Sequence, residues 1–232
     1  MRAIKPKKWE TPYLEDIHMK GLAGIYSFRK LNAIINISPT GKERAIDIGC
    51  GQGYFLLTLA KYNKEAIGLD RKVKLGMIEE NVSYADGKWK EQVKGKTLLE
   101  VTKEMIETEL GKENNVKIIE GDAKKIPLKD ESVDTAYMLD VLEHIPEREK
   151  AIKEVKRILK KDGTLIISVP DMDNKLLRTL STRGRGMVES DDHAKFRWKE
   201  LVEEMKKEFT IEEIKKYPSR IISMSIIIKA RK

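Results

Sequence analysis

Asp140, Glu143 and His144 fall at relative positions 0, 3 and 4 in the run D-V-L-E-H-I, a spacing that puts all three on one face if the run is helical. Two carboxylates and an imidazole on one face can gather a divalent cation or move a proton near neutral pH. A second histidine, His193 in D-D-H-A-K-F-R-W, follows far downstream, beyond a further apolar segment, and is expected at the same edge of the fold. Asp140, Glu143, His144 and His193 are therefore the candidate metal ligands, for an ion such as Mg²⁺ or Mn²⁺, with the two imidazole nitrogens suiting Mn²⁺ better. Without a metal, His144 or His193 is the expected general base, with Asp140 beside it.

A different chemistry is written around residue 50. The apolar run of A-I-D-I-G-C-G-Q-G meets glycines at 49, 51 and 53, which allow a sharp turn and let a ligand lie against bare backbone. A helix starting near Tyr54 would aim its free N–H groups at a polar or anionic ligand group. A dinucleotide-binding turn of the G-x-G-x-x-G type would need glycine at 54, where this chain has Tyr54, so the spacing argues against NAD. Asp70 closes the next apolar segment, A-I-G-L-D, where a carboxylate can accept from both hydroxyls of a ribose. V-K-I-I-E-G-D-A places Asp122 and Ala123 at a third segment's end, and V-D-T-A-Y-M-L-D places Leu139 and Asp140 at a fourth. Three acidic segment ends and one glycine turn suggest a single crevice along one sheet edge.

With these motifs in this order, the chain resembles the class I S-adenosylmethionine-dependent methyltransferases over residues 44–232. By that resemblance Asp47, Gly49 and Gly51 line the methionine end of the cofactor and Asp70 holds its ribose. Asp122 accepts from the adenine amino group, the Ala123 amide faces the ring, and the Leu139 carbonyl meets the methionine ammonium. The acidic–histidine run also resembles that of the metal-dependent small-RNA 3′-terminal 2′-O-methyltransferases, and the E-V-L-E-H run of the ubiquinone-pathway O-methyltransferases. Here Asp140 stands in place of a glutamate, and Ala194 separates His193 from Lys195.

The elements that must position these residues alternate along the chain. Strands are expected near 44–49, 66–70, 116–122, 133–140 and 164–170, with helices between them, as crossovers in a parallel sheet require. Glu149 to Leu159 is the clearest helix, with Ile152, Val155, Ile158 and Leu159 at helical spacing and Lys160-Lys161-Asp162-Gly163 as its stop. F-T-I-E-E-I-K-K-Y-P and S-M-S-I-I-I-K-A read as a closing antiparallel pair. The resulting expectation is an α/β, doubly wound, mostly parallel seven-stranded sheet with a C-terminal antiparallel strand pair, Rossmann-like as in class I methyltransferases.

Residues 41–232 are expected to form this domain, and residues 1–40, with Trp9, Tyr13, Tyr26 and Phe28, a helical lid. The connection 73–113 is longer than one crossover helix needs, with Lys96 to Leu110 helical inside it. Arg178, Arg183 and Arg185 lie among glycines in a polar stretch that could grip a phosphate or carboxylate, or be a solvated loop. The 232 residues carry 46 Lys and Arg against 38 Asp and Glu, a net charge of +8, interspersed in the Lys/Glu pattern of a solvated or heat-adapted surface. Cys50 is the sole cysteine, which excludes an internal disulfide and a cysteine-built zinc site and fits a reducing cytoplasm. No stretch approaches the length of a membrane span. The expected partner is a small-molecule methyl acceptor bearing a hydroxyl, with RNA, or cofactor binding without catalysis, as the alternatives.

Overall fold

The computed structural model describes residues 22–39, 43–72, 95–174, 197–219 and 223–232. Among them, seven strands form one sheet: β1 (Arg44–Ile48), β2 (Glu65–Asp70), β3 (Val116–Glu120), β4 (Val133–Leu139), β5 (Leu159–Pro170), β6 (Thr210–Pro218) and β7 (Ser223–Arg231). Their order across the sheet is β3-β2-β1-β4-β5-β7-β6. The pairs β1–β2, β2–β3, β1–β4 and β4–β5 are parallel, and β7 runs antiparallel to both β5 and β6. The chain thus winds outward one way through β1, β2 and β3, then returns to the centre for β4. That reversal opens a crevice beyond the carboxyl ends of β1 and β4, where open α/β sheets take their ligands.

The central strands are covered on both faces, which is why they read as near-continuous apolar runs. Alternation divides them cleanly: Ile46, Ile48, Ile67, Leu69, Leu165 and Ile167 point to one core layer, and Ala45, Ala66, Tyr137 and Ile166 to the other. The first layer packs on α4 (Arg148–Ile158) through Ala151, Ile152, Val155 and Ile158, and on α5 (Trp198–Lys206) through Leu201, Val202 and Met205. The second packs on α1 (Leu22–Ile37) through Ala33, Ile34 and Ile35, on α2 (Tyr54–Tyr62), and on α3 (Leu98–Leu110) through Ile106. Helix α3 starts in a full capping box: the Glu100 amide donates to the Thr97 hydroxyl at 3.3 Å, and the Thr97 amide donates to the Glu100 carboxylate at 2.7 Å.

Three expected boundaries move. Lys160 to Gly163 does not stop a helix before a separate strand; α4 ends at Ile158 and β5 begins at once. Val133 pairs with Leu159 and Thr135 with Thr164, so residues 160–163 bulge opposite Asp134 alone, with Asp162 at a φ of 61°. The Lys160 ammonium lies 3.0 Å from the Asp134 carboxylate and secures the bulge. Strand β3 ends at Glu120, because the Asp122 carboxylate accepts from the Lys124 amide at 2.8 Å and turns the chain out of the sheet. Strand β4 ends at Leu139, and Asp140 takes a φ of 56°.

Candidate active site

The three glycines after β1 take left-handed backbone, with φ of 76°, 51° and 79° at Gly49, Gly51 and Gly53. Gly49 is also sterically fixed, since a Cβ there would lie 2.5 Å from Cγ2 of Val141. The turn is anchored on two sides. The amides of Gly49 and Cys50 donate to the Leu69 carbonyl at 2.7 and 3.1 Å, and the Gly51 amide donates to the Asp70 carboxylate at 2.7 Å. On the far side the buried Thr102 hydroxyl of α3 lies 2.8 Å from the Gly51 carbonyl.

Beyond the strand ends lies a cavity of about 260 Å³, lined by Gly49, Asp70, Asp122, Ala123, Asp140 and His144 together with Arg71, Lys124, Val141 and neighbouring residues. Register explains the convergence: Ile48 pairs with Leu69, Asp70 with Glu120, and Leu139 with Ser168, so successive strands end level with one another. Asp70 is held rigidly, one carboxylate oxygen on the Gly51 amide and the other on the Arg71 amide at 2.7 Å. Each oxygen keeps a lone pair for a hydroxyl donor from the crevice. Asp47, Gly51 and Leu139 are not among the residues that line it. Asp47 is only 3% exposed, and burial, with the Asp70 charge adding, pushes its carboxyl up to about 7. The same burial, with both carboxylates nearby, raises the Cys50 thiol well above its ordinary value, so it stays an inert apolar wall.

The 140–144 run does not form the expected helical face. Its helical part is one 3₁₀ turn, Leu142–His144, and Asp140 precedes it in left-handed backbone with its amide still donating to the Ser168 carbonyl at 2.8 Å. Both Asp140 oxygens are engaged, one by the Lys30 ammonium of α1 and the other by the Ser168 hydroxyl at 2.9 Å. Glu143 turns inward; its Oε2 is shut from solvent, with no hydrogen-bond partner among the described residues. Burial, then the Asp140 charge, pushes the Glu143 carboxyl up to about 8, against opposing pulls from its own backbone amide and then from Lys30. His144 is exposed at the crevice rim. Among the described residues no three His, Cys, Asp or Glu side chains gather as a cation site. Among the described residues the expected metal quartet is not gathered: Asp140 is committed to Lys30 and Ser168, the Glu143 Oε2 is shut from solvent and His144 is exposed. His193, Arg178, Arg183 and Arg185 lie outside the described residues, as do Trp9 and Tyr13.

Lys30, Ser168 and Thr102 are the site's neighbours that sequence reasoning missed. Lys30 is 110 residues from Asp140 and sits in an ordinary Arg-Lys-Leu run, with no local signal. Ser168 was readable only as a polar residue inside the buried run T-L-I-I-S-V-P.

A sheet of this order with a glycine turn and acidic strand ends at its switch point defines the class I methyltransferase fold, and the comparisons agree. Residues 82–167 match the family described as methyltransferase domain. An uncharacterized methyltransferase of Bacillus subtilis, YcgJ, is 29% identical over 160 residues, 68% of this chain and 53% of that protein. A demethylmenaquinone methyltransferase of Staphylococcus aureus is 29% identical over 123 residues, 53% of this chain and 41% of that one. A SAM-dependent methyltransferase from Aquifex aeolicus shares the fold with a TM-score of 0.63 at 15% identity, over 97% of this chain and 99% of that chain. The chain spans about half or less of the length of the curated relatives it matches. The chain has the class I methyltransferase fold, and its residues 82–167 match the methyltransferase-domain family.

The residues present fit S-adenosylmethionine as its cofactor. Gly49 leaves no room for a side chain between turn and rim, and Asp70 and Asp122 offer acceptors at two points along one crevice. No helix among the described residues is long and apolar enough to cross a membrane.

Proposed function

We propose that the protein transfers a methyl group from S-adenosylmethionine to a hydroxyl of a small molecule. The observation that carries this reading is the convergence of Gly49, Asp70, Asp122 and Ala123 on one crevice that also takes in Asp140, itself paired with Lys30. In this reading Asp47, Gly49 and Gly51 serve the methionine end, with the Leu139 carbonyl on its ammonium. Asp70 takes the ribose hydroxyls, Asp122 the adenine amino group, and the Ala123 amide the ring. The bound cofactor supplies a methyl group on a positively charged sulfonium. The chain's own residues orient the acceptor, exclude water and handle its proton.

Asp140, tied to α1 and β5, fixes the acceptor end of the crevice rather than reacting, and His144 meets the acceptor at the rim. The N-terminal segment supplies one wall of that end through Lys30, while residues 41–232 hold the cofactor. The S. aureus relative, named for a quinone-type small molecule, supports a small-molecule acceptor. The test is methyl transfer from radiolabelled S-adenosylmethionine to a panel of phenols, enols and vicinal diols, run beside total RNA. Label in a small-molecule hydroxyl is the expected outcome. Label confined to RNA, with transfer that falls steeply as salt rises, would replace the small molecule by a polynucleotide. Tight cofactor binding with no acceptor in either set would mark a binding protein instead.

A further inference from the structure

The sheet ends at β6, which has β7 on one side and, among the described residues, no strand on the other. Its outer edge presents backbone N–H and C=O groups that a further strand can take. Residues 212–215 are all exposed, and Ile214, at 41%, is the one large hydrophobic side chain exposed among the described residues. A single exposed isoleucine is ordinary. The order of charge around it is not: Glu212-Glu213-Ile214-Lys215-Lys216 reverses sign about its own centre.

We propose that β6 pairs antiparallel with β6 of a second copy of this chain, about a two-fold axis at Ile214. In such an isologous contact, residue i meets j and j meets i. Centred on Ile214, it brings the two Ile214 side chains together on one face of the sheet. On the other face it sets Glu213 of each copy opposite Lys215 of its partner. Charge also fixes the register. Opposite residues in an antiparallel pair share a face, so a one-residue slip centres the contact on Glu213 or on Lys215 and sets that charge against its own copy.

The local structure leaves these three residues in place for the contact. The ladder with β7 is regular from Glu213 to Tyr217, and the bulge falls at Glu212. Glu212 is held by Lys229 at 3.3 Å and Arg231 at 3.2 Å, and Lys216 lies 3.6 Å from Asp171, so the outer charges of the run are engaged within one chain. Bulges and edge lysines commonly keep strands from pairing. Here the bulge lies outside the central three residues, and each central lysine has a glutamate to meet. One short strand per copy makes a small interface, so the dimer is weak and depends on concentration and salt.

Sedimentation equilibrium of the full chain, from micromolar to near-millimolar protein at low salt, reads the dimer directly. The wild-type protein should pass from monomer to dimer mass, with a dissociation constant that rises with salt. Glu213→Lys sets lysine against lysine and Lys215→Glu sets glutamate against glutamate, so each variant alone should dimerise at least about tenfold more weakly. An equimolar mixture of the two restores opposite charges across the axis and should associate about as well as the wild-type protein. The exchange Glu213→Lys/Lys215→Glu within one chain should do the same, and it carries the test should a single variant fail to fold. A wild-type protein that stays monomeric throughout overturns the proposal. So does a dimer that neither single substitution weakens, or a loss that neither the mixture nor the exchange restores.

Discussion

Replacing Gly49 by alanine tests the geometry of the glycine turn through one contact. The φ of 76° places an added Cβ in left-handed backbone, at a cost of about 1–2 kcal/mol. The same Cβ would lie 2.5 and 3.0 Å from the two methyl carbons of Val141, an overpacking worth roughly 1–3 kcal/mol more. Gly49→Ala should therefore lower unfolding free energy by about 2–5 kcal/mol. Val141 is only partly buried, so Val141→Ala alone should cost about 1 kcal/mol. In the double variant the clash is gone and the backbone strain stays, which predicts a favourable coupling of about 1–3 kcal/mol. Urea unfolding of the four proteins, analysed by linear extrapolation, measures it. A coupling under about 0.5 kcal/mol would mean that Val141 does not close over Gly49, and the crevice as described would be wrong.

Thr102→Val keeps the side-chain shape and removes the hydroxyl that secures the Gly51 carbonyl; it should cost about 1–2 kcal/mol of stability and weaken S-adenosylhomocysteine binding, read by calorimetric titration. Asp47 gives a pH signature. Its carboxyl is raised to about 7 in the fold from an ordinary value near 4, so the folded state binds the proton more tightly than the unfolded one. Stability from this group is full below about pH 4 and lost as pH rises through about 7. Asp47→Asn should flatten that decline between pH 5 and 8 in urea unfolding while weakening the cofactor, and an unchanged slope would show that Asp47 is not buried as a neutral acid. Arg148 grips both Glu204 oxygens at 2.7 Å across α4 and α5; Arg148→Lys keeps the charge but loses the fork, and should cost about 1 kcal/mol with cofactor affinity unchanged.

The parts legible in the sequence were those written as local period and local composition. Buried parallel strands announce themselves as short apolar runs, and Gly49, Gly51 and Asp70 fall at strand ends where only the turn itself decides the backbone. The mostly parallel sheet and the antiparallel closing pair followed from these runs; the strand order did not. The 140–144 run misled because a spacing of 0, 3 and 4 presumes a helix, whereas Asp140 takes a left-handed conformation that ends β4 and leaves room for one 3₁₀ turn. The Lys160–Gly163 bulge was hidden for a similar reason: a stop signal and a bulge both use Asp-Gly. Lys30 and Thr102 were illegible because each reaches the site from a helix distant in sequence, and only tertiary packing brings their polar groups to Asp140 and Gly51.

The most direct test of the account is calorimetric titration of S-adenosylhomocysteine into the wild-type protein and Asp70→Ala. Asp70 is the carboxylate fixed by the Gly51 and Arg71 amides at the centre of the crevice. Saturable one-site binding in the wild type, weakened at least about tenfold in a folded Asp70→Ala variant, is the predicted result. Binding of equal strength in both proteins would place the cofactor elsewhere and contradict the site described.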